Sequence, residues 1–452
     1  MRRSIQYLLT SCLLLVFSID TQAQTKYDVL SYNIVPNDGK EDSYNINKLL
    51  KSLPEGKESL IIFPAGVFTI SAPIIVPSNC SIIGAGPGKT IFKQNGTPAL
   101  WARFREQAII TTNPNIVNRN IDIKRLSILG LYNDIKIAGA KGGICLRNCY
   151  YSTIDNVETI NTWHGIAFYD NKTSANSNNK IINSKAQNAI YYTTLNNSGR
   201  PRGILMNSPN GIIDSCISEN CGTGYYCSGD NIQVLNCTAR NWTIDNGYYI
   251  LVNNCTIRNC QAVTGTDTKQ GKGSGITIAY NKGGIVEDCV LKNCSNYGLR
   301  IHVPESNLVV RNNQAINCGI GIGIENASHP FPEMCDSLII ENNSSSNCRQ
   351  QGYLFRQTSN STIRGNTALN NNQGGINKST KGGICIKNNF YNNYLSGNIV
   401  NDTQRKKTQI YGLYIYHDNA AINSANLRNG NNTLKSKKNT IIHKSKYGID
   451  SL

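Results

Sequence analysis

Ile212-Ile213-Asp214-Ser215-Cys216-Ile217-Ser218-Glu219-Asn220-Cys221-Gly222-Thr223-Gly224-Tyr225-Tyr226-Cys227 sets out a phrase that the chain repeats about every 22 to 30 residues. An apolar residue is followed by Asn, Asp or Gly beside a Cys or Asn. A second Asn-Cys-like pair comes five positions on, and then a Gly opens a short apolar or aromatic strand. The phrase returns as Asn236-Cys237 with Asn241-Trp242, Asn254-Cys255 with Asn259-Cys260, and Asp288-Cys289 with Asn293-Cys294. It continues as Asn312-Asn313 with Asn317-Cys318, Asn342-Asn343 with Asn347-Cys348, and Gly365-Asn366 with Asn370-Asn371. A fixed period in this range means stacked units, each too small to bury its own apolar face and stable only against its neighbours. The segments are dense in Asn, Gly, Ser and Thr and carry short β-branched runs such as Ile276-Thr277-Ile278, which argues for strands and against helical repeats.

A unit of this length holds three short strands and three turns, and so closes one coil whose strands pair in parallel with the coils above and below. The expected fold is therefore all-β, a single right-handed parallel β-helix. Equivalent residues of successive coils then lie one strand spacing apart, about 4.8 Å, and identical residues stack into columns. An Asn at a bend bonds its own backbone and the Asn of the next coil, which accounts for its return at one register.

Of the 16 cysteines, all but Cys12 follow the leader described below, and most fall in the two repeat columns. Stacked inward thiols packing as small hydrophobes are the favoured expectation, with disulfides between column neighbours as the rival. No CxxC or Cys/His cluster with metal-ligand spacing is present.

Arg2-Arg3, an apolar run from Tyr7 to Phe17, and Thr21-Gln22-Ala23 have the three parts of a secretory signal peptide over residues 1–23, with the mature chain starting near Gln24. No other run is long and apolar enough to span a bilayer. The expectation is a secreted or periplasmic protein without membrane insertion, and a monomer. Residues 24–100 are expected to form an N-terminal cap and the first coils, and residues 101–452 the solenoid with a basic C-terminal segment. Glu41-Asp42-Ser43 reads as an N-cap, and Ile46, Leu49, Leu50 and Leu53 form one helical face before Pro54. Such a helix covers the open sheet edge of the first coil.

The formal charge of +17, one unit less once Arg2, Arg3 and Asp20 are removed, favours a polyanionic partner. For an exported protein, acidic polysaccharide is the expected class and nucleic acid is not. The competing expectation places much of this charge in a solvated tail carrying Arg405-Lys406-Lys407, Lys435, Lys437-Lys438, Lys444 and Lys446.

The helix-containing start, the phrase Phe63-Pro64-Ala65-Gly66-Val67-Phe68, and Ser81-Ile82-Ile83-Gly84-Ala85-Gly86 with Thr90-Ile91 resemble the amino-terminal region of the pectate-lyase-like β-helix proteins of carbohydrate metabolism. The likeness covers residues 27 to 95 closely and the remainder only as generic coils. It implies the fold, and with it a choice among lyases, hydrolases, uronate epimerases and phage tailspikes. The acidic run here is Asp42-Ser43-Tyr44 rather than paired Asp and Thr, so no functional residue carries over from that segment.

If each Gly opens the first strand of its coil, alternation points Ile166 and Phe168, Ile204 and Met206, and Tyr225 and Cys227 inward. One outward column then holds Ala167, Leu205, Tyr226, Tyr249, Thr277 and Arg300; the other holds Tyr169, Asn207, Ser228, Leu251, Ala279, His302, Glu325 and Arg356. The quartet His302, Arg300, Glu325 and Arg356 suits β-elimination on a uronate. Arg300 or Arg356 would neutralise the sugar carboxylate, His302 would remove the C5 proton, and Glu325 would orient His302. A surface ion-pair column is the competing expectation. A second group, expected to bind substrate, comprises His164, Tyr169 and Asp170 with Arg147 one coil earlier, joined by Tyr226 and Lys272. Loops 170 to 180, 194 to 202 (Arg200, Arg202), 262 to 274 (Lys269, Lys272) and 326 to 337 are longer than a coil needs and are expected to wall a groove.

Glycoside hydrolysis needs two or three carboxylates about 5 to 9.5 Å apart, whereas the outward acids here, Asp170, Asp230, Asp267 and Glu325, are scattered. The same scatter gives no indication of a calcium site, and no cofactor is expected. The expectation is a polysaccharide lyase. Uronate C5-epimerase, hydrolase and a non-catalytic glycan-binding β-helix are the alternatives.

Overall fold

The computed structural model describes residues 24–96, 101, 108–131, 142–169, 177–189, 201–265, 273–279, 282–302, 305–325, 334–374, 382–416 and 428–443. The expected leader, Asp170, Asp267, Lys269, Lys272, Lys444 and Lys446 lie outside these residues. Successive coils each contribute strands to three walls. Arg202–Asn207, Ile212–Asp214 and Ile217–Glu219 form one coil; Thr223–Cys227, Gln233–Leu235 and Thr238–Trp242 form the next. Each strand pairs in parallel with its counterpart, Ile204 opposite Tyr225, Ile213 opposite Val234 and Ser218 opposite Ala239. The protein is a right-handed parallel β-helix.

The bends between walls explain the repeated phrase. Asn183, Asn220, Asn236, Asn241 and Asn259 all have φ between 49° and 54°, the left-handed region that Asn tolerates better than other side chains. Their amides chain from coil to coil: Asn188 donates to Asn161 at 3.0 Å, Asn220 to Asn188 at 3.3 Å and Asn241 to Asn220 at 3.2 Å. The residue after one of these bends points inward and forms a second column, Cys216, Cys237, Cys260 and Cys289, which then changes to asparagine. From there Asn313, Asn343 and Asn366 each donate to the next amide at 3.0 Å, and Asn398 continues the ladder to Asn432 at 2.9 Å. Asn313 and Asn343 also bond the carbonyls of Val286 and Val310 at 2.9 Å, so the buried amides are satisfied.

All fifteen described cysteines are buried thiols. Burial pushes the Cys80 and Cys385 thiols up to about 12, which keeps them un-ionised and unreactive. One coil departs from the sequence expectation. Asn259-Cys260, not Asn254-Cys255, stacks on Asn236-Cys237, and Asn254 instead donates to Asn231 at 3.2 Å at the preceding bend. The reason is that this coil closes at Thr264-Gly265, where Gly265 leaves room for the Trp242 indole, so the second Asn-Cys pair is missing from it.

A glycine column runs up the first wall. A Cβ on Gly224 would lie 2.3 Å from the carbonyl oxygen of Gly247, and one on Gly321 would lie 2.4 Å from that of Gly352. Here the coils approach too closely for any side chain.

The N-terminal end is covered by the helix Ser43–Lys51, which buries Ile46, Leu49 and Leu50, with Leu53 packed beside them. Glu41 accepts from the amides of Ser43 and Tyr44 at 2.7 and 3.2 Å, and Asn47 bonds the backbone of Pro73 and Ile75 at 2.9 and 3.0 Å. The helix thus occupies the edge next to Ile74–Ile75. Asp42 accepts from Thr69 at 2.8 Å, and burial raises its carboxyl from 3.8 to about 6. At the other end, Lys435 and Lys438 sit in strands of the last coil, paired with Asn401 and Tyr411. The expected basic tail is thus divided over the described residues: Lys435 and Lys438 belong to the solenoid, while Arg405, Lys406 and Lys407 are exposed on the connection between the strands Ile399–Asn401 and Tyr411–Tyr416. No described helix is long and apolar enough to cross a membrane.

Gly224→Ala is expected to cost about 1–3 kcal/mol, the usual range for overpacking, read as a lowered urea midpoint. The folded protein holds the Asp42 proton more tightly than the unfolded chain, so this group's contribution is full below 3.8 and lost as pH rises through about 6. Asp42→Asn should therefore flatten the fall in melting temperature across that window; an unchanged pH profile would contradict this.

Candidate functional site

The strands of the first wall begin one residue before the column glycine. His164, Arg202 and Thr223 pair in register, as do Tyr297 and Ile320. This position faces outward, while the glycine and the residue after it both face the interior. The first wall consequently has three outward columns, not the two that alternation from the glycine implies. Arg202, expected in a wall-forming loop, opens a strand instead.

The register places Arg147, Tyr169 and Asn207 in one column on successive coils. The Arg147 guanidinium lies over the Tyr169 ring at 5.3 Å, and the Arg202 guanidinium covers the Tyr226 ring at 3.6 Å, both geometries that attract a cation to the π face. His164 and Tyr169 are in edge contact, with centroids 6.3 Å apart. All five side chains are half-buried. Beneath them Ala108, Cys145, Ala167 and Leu205 form a small apolar cluster on the outer face, against which Tyr169 and Tyr226 pack. Burial, helped by Cys145, pushes the Tyr169 phenol up, while Arg202 and Arg147 pull it only partly back. The phenol is a proton donor at any ordinary pH.

Further along the same wall the register puts Ala279, His302 and Glu325 in one column, and Arg356 pairs with Glu325 at 3.1 Å. Glu325, expected to orient His302, also engages two other side chains. One carboxylate oxygen accepts from the Tyr297 hydroxyl and the other meets Arg356. Tyr297 reaches Glu325 because Gly323 leaves the path open: a Cβ there would lie 2.4 Å from the Tyr297 ring. The Arg300 guanidinium stands 5.8 Å from the same ring. Tyr297 itself is 2% exposed, and burial together with the Glu325 charge pushes its phenol far up.

The structure thus brings Arg147, His164, Tyr169 and Tyr226 together with Arg202, and brings Arg300, Glu325 and Arg356 together with Tyr297. Six coils separate Tyr169 from Glu325, about 29 Å at the parallel-strand spacing. Arg202 and Tyr297 escaped the sequence expectation for one reason, their position just before the column glycine. Asp230 bonds the backbone and side chain of Asn253 at 3.0 and 3.2 Å, as a turn residue does. Among the described residues, no three His, Cys, Asp or Glu side chains gather in a way that could hold a metal ion.

No curated protein sequence matches the chain. Among solved structures, the catalytic unit of a GH87 α-1,3-glucanase from Streptomyces thermodiastaticus superposes with a TM-score of 0.55 at 10% identity, covering 92% of this chain and 70% of that one. PfbA, a surface adhesin of Streptococcus pneumoniae, superposes at 0.51 and 13% identity, covering 93% and 96%. The A-module of the Azotobacter vinelandii mannuronan C-5 epimerase AlgE6 gives 0.48 and 13% identity, covering 93% and 97%. Residues 202–334 match the right-handed β-helix region, and residues 27–266, just over half of the chain, match the family described as rhamnogalacturonase A/epimerase, pectate lyase-like. The protein belongs to that pectate lyase-like family.

Proposed function

We propose that the protein is an exported enzyme that abstracts the C5 proton of a uronate within an acidic polysaccharide, with His164, Tyr169, Arg147 and Arg202 at the reaction centre. The observation that carries this reading is the half-buried Tyr169 phenol, kept protonated by burial although two guanidinium groups stand near it, and placed beside an imidazole. A uronate is recognised by its carboxylate, and Arg202 or Arg147 supplies the cation that neutralises it, acidifying the adjacent C5 hydrogen. The imidazole of His164, whose Nδ1 is buried, offers Nε2 as the base. As the C5–H bond breaks, its electron pair forms the C4–C5 double bond and the C4–O bond cleaves; Tyr169 gives its proton to the departing oxygen. Epimerisation shares the first step and returns a proton to the opposite face of C5.

The His302 quartet is a poorer centre for this chemistry. Glu325 is taken up by Tyr297 and Arg356, and its charge offsets one of the two arginines. Hydrolysis is disfavoured because no second carboxylate stands near Glu325 on the described wall. The family likeness supports a carbohydrate-directed activity without selecting among lyase, epimerase and hydrolase.

Incubation with alginate, pectate and glycosaminoglycans, following unsaturated product by ultraviolet absorbance and C5 exchange by deuterium uptake, is expected to give a signal on at least one polymer; none on any of them would overturn the proposal. On the responsive polymer, Tyr169→Phe should lower kcat by about 10²–10⁴ with an unchanged melting temperature. Arg202→Ala should lower kcat/KM by about 10- to 100-fold, the loss of one charge-assisted hydrogen bond.

A further inference from the structure

The Arg300, His302 and Arg356 cluster is left without a part in that chemistry, yet it is more than a surface ion pair. Tyr297 is buried under it and committed to Glu325 across the gap left by Gly323, so the acid is fixed in place and in turn fixes Arg356. Arg300 sits one column over with its guanidinium near the Tyr297 ring, and the Nε atoms of both Arg300 and Arg356 are buried with no hydrogen-bond partner. Lys387 pairs in register with Arg356 on the next coil. One carboxylate between the two arginines leaves an excess of positive charge on a half-buried surface, where it attracts an anion far more strongly than in open solvent.

The position of this cluster gives it meaning. It lies on the same outward wall as Tyr169 and Arg202, four coils from the strand that carries Arg202, about 19 Å. The coils between present Tyr226 and Tyr249, half-buried and in edge contact at 5.8 Å. These amphipathic rings line the path between the clusters, with one face of Tyr226 covered by Arg202. A polyanionic chain lying along the helix axis would meet a cationic site, an aromatic stretch and a second cationic site.

We infer that Arg300, His302 and Arg356 form a remote carboxylate-binding subsite, so that the ligand is a linear polyuronate long enough to occupy both clusters at once. This rests on the proposed uronate chemistry at Tyr169. Two linked sites bind a spanning chain more tightly than either binds alone, whereas a chain that reaches only one gains nothing.

The test is equilibrium binding of size-fractionated oligouronates to the Tyr169→Phe protein, with and without Arg300→Ala, in the polymer that the activity screen identifies or, failing one, in each polymer of the panel. Affinity is expected to step up by at least about tenfold once the oligomer spans both clusters. Arg300→Ala should remove the step and Arg300→Lys should restore part of it, with short oligomers binding the same in all three. A step that persists in Arg300→Ala, or affinity that grows smoothly with length in both proteins, overturns the remote subsite while leaving the Tyr169 centre standing. Absence of binding by any uronate at any length overturns both. Matching melting curves establish that Arg300→Ala is folded.

Discussion

The outer wall depends on one steric constraint, the close parallel approach of successive coils. At the glycine column the backbone of one coil comes so near the carbonyl of the next that a single methyl group would collide. The absence of side chains there lets the parallel hydrogen-bonded ladders keep their ordinary spacing, and that spacing turns residues far apart in the chain into vertical neighbours. Arg147 meets Tyr169 and His302 stacks under Glu325 only because register and rise hold along the whole solenoid. The inner asparagine and cysteine columns keep the same rise from inside, the amides by hydrogen bonding and the thiols by packing.

On this ruler the chemistry is built by reach between coils. Arg202 starts its strand yet covers Tyr226 of the following coil, and Tyr297 crosses over Gly323 to bond Glu325. Each cluster therefore draws on several coils and on more than one outward column. The two differ in charge arrangement. Around Tyr169 the described side chains are arginines, aromatic rings and an imidazole; around Tyr297 a carboxylate has been drawn in and locked. The first suits proton transfer on an anionic sugar, the second suits holding one.

Much of this was legible in the sequence because the repeat is explicit. The Asn phrase gave the bends, and alternation from each Gly put Tyr169, His302, Glu325 and Arg356 on the outer wall. Three things were not legible. The strand starts one residue before the glycine, and two inward residues in succession break the alternation there, which hid the outward column that Arg202 and Tyr297 share with His164. The coil after Trp242 closes at Thr264-Gly265, which displaced the Asn254-Cys255 phrase by one bend. Glu325 was expected to meet its column neighbours, as it does Arg356, and the structure adds a tyrosine from another column, reachable only because Gly323 has no side chain. Column membership follows from periodicity, but side-chain direction across columns depends on local voids, and those appear only once the coils are stacked.

Coil spacing, the two arginine clusters and the intervening tyrosines converge on a single claim: an acidic sugar chain lies lengthwise on the first wall. The most direct measurement is a crystal structure of the Tyr169→Phe protein soaked with an oligouronate long enough to cover six coils. Density running along the wall from Arg147 past Tyr226 to Arg300, with a carboxylate against Arg202, is the expected result. Sugar bound across the helix axis, or on either of the other two walls, would contradict it.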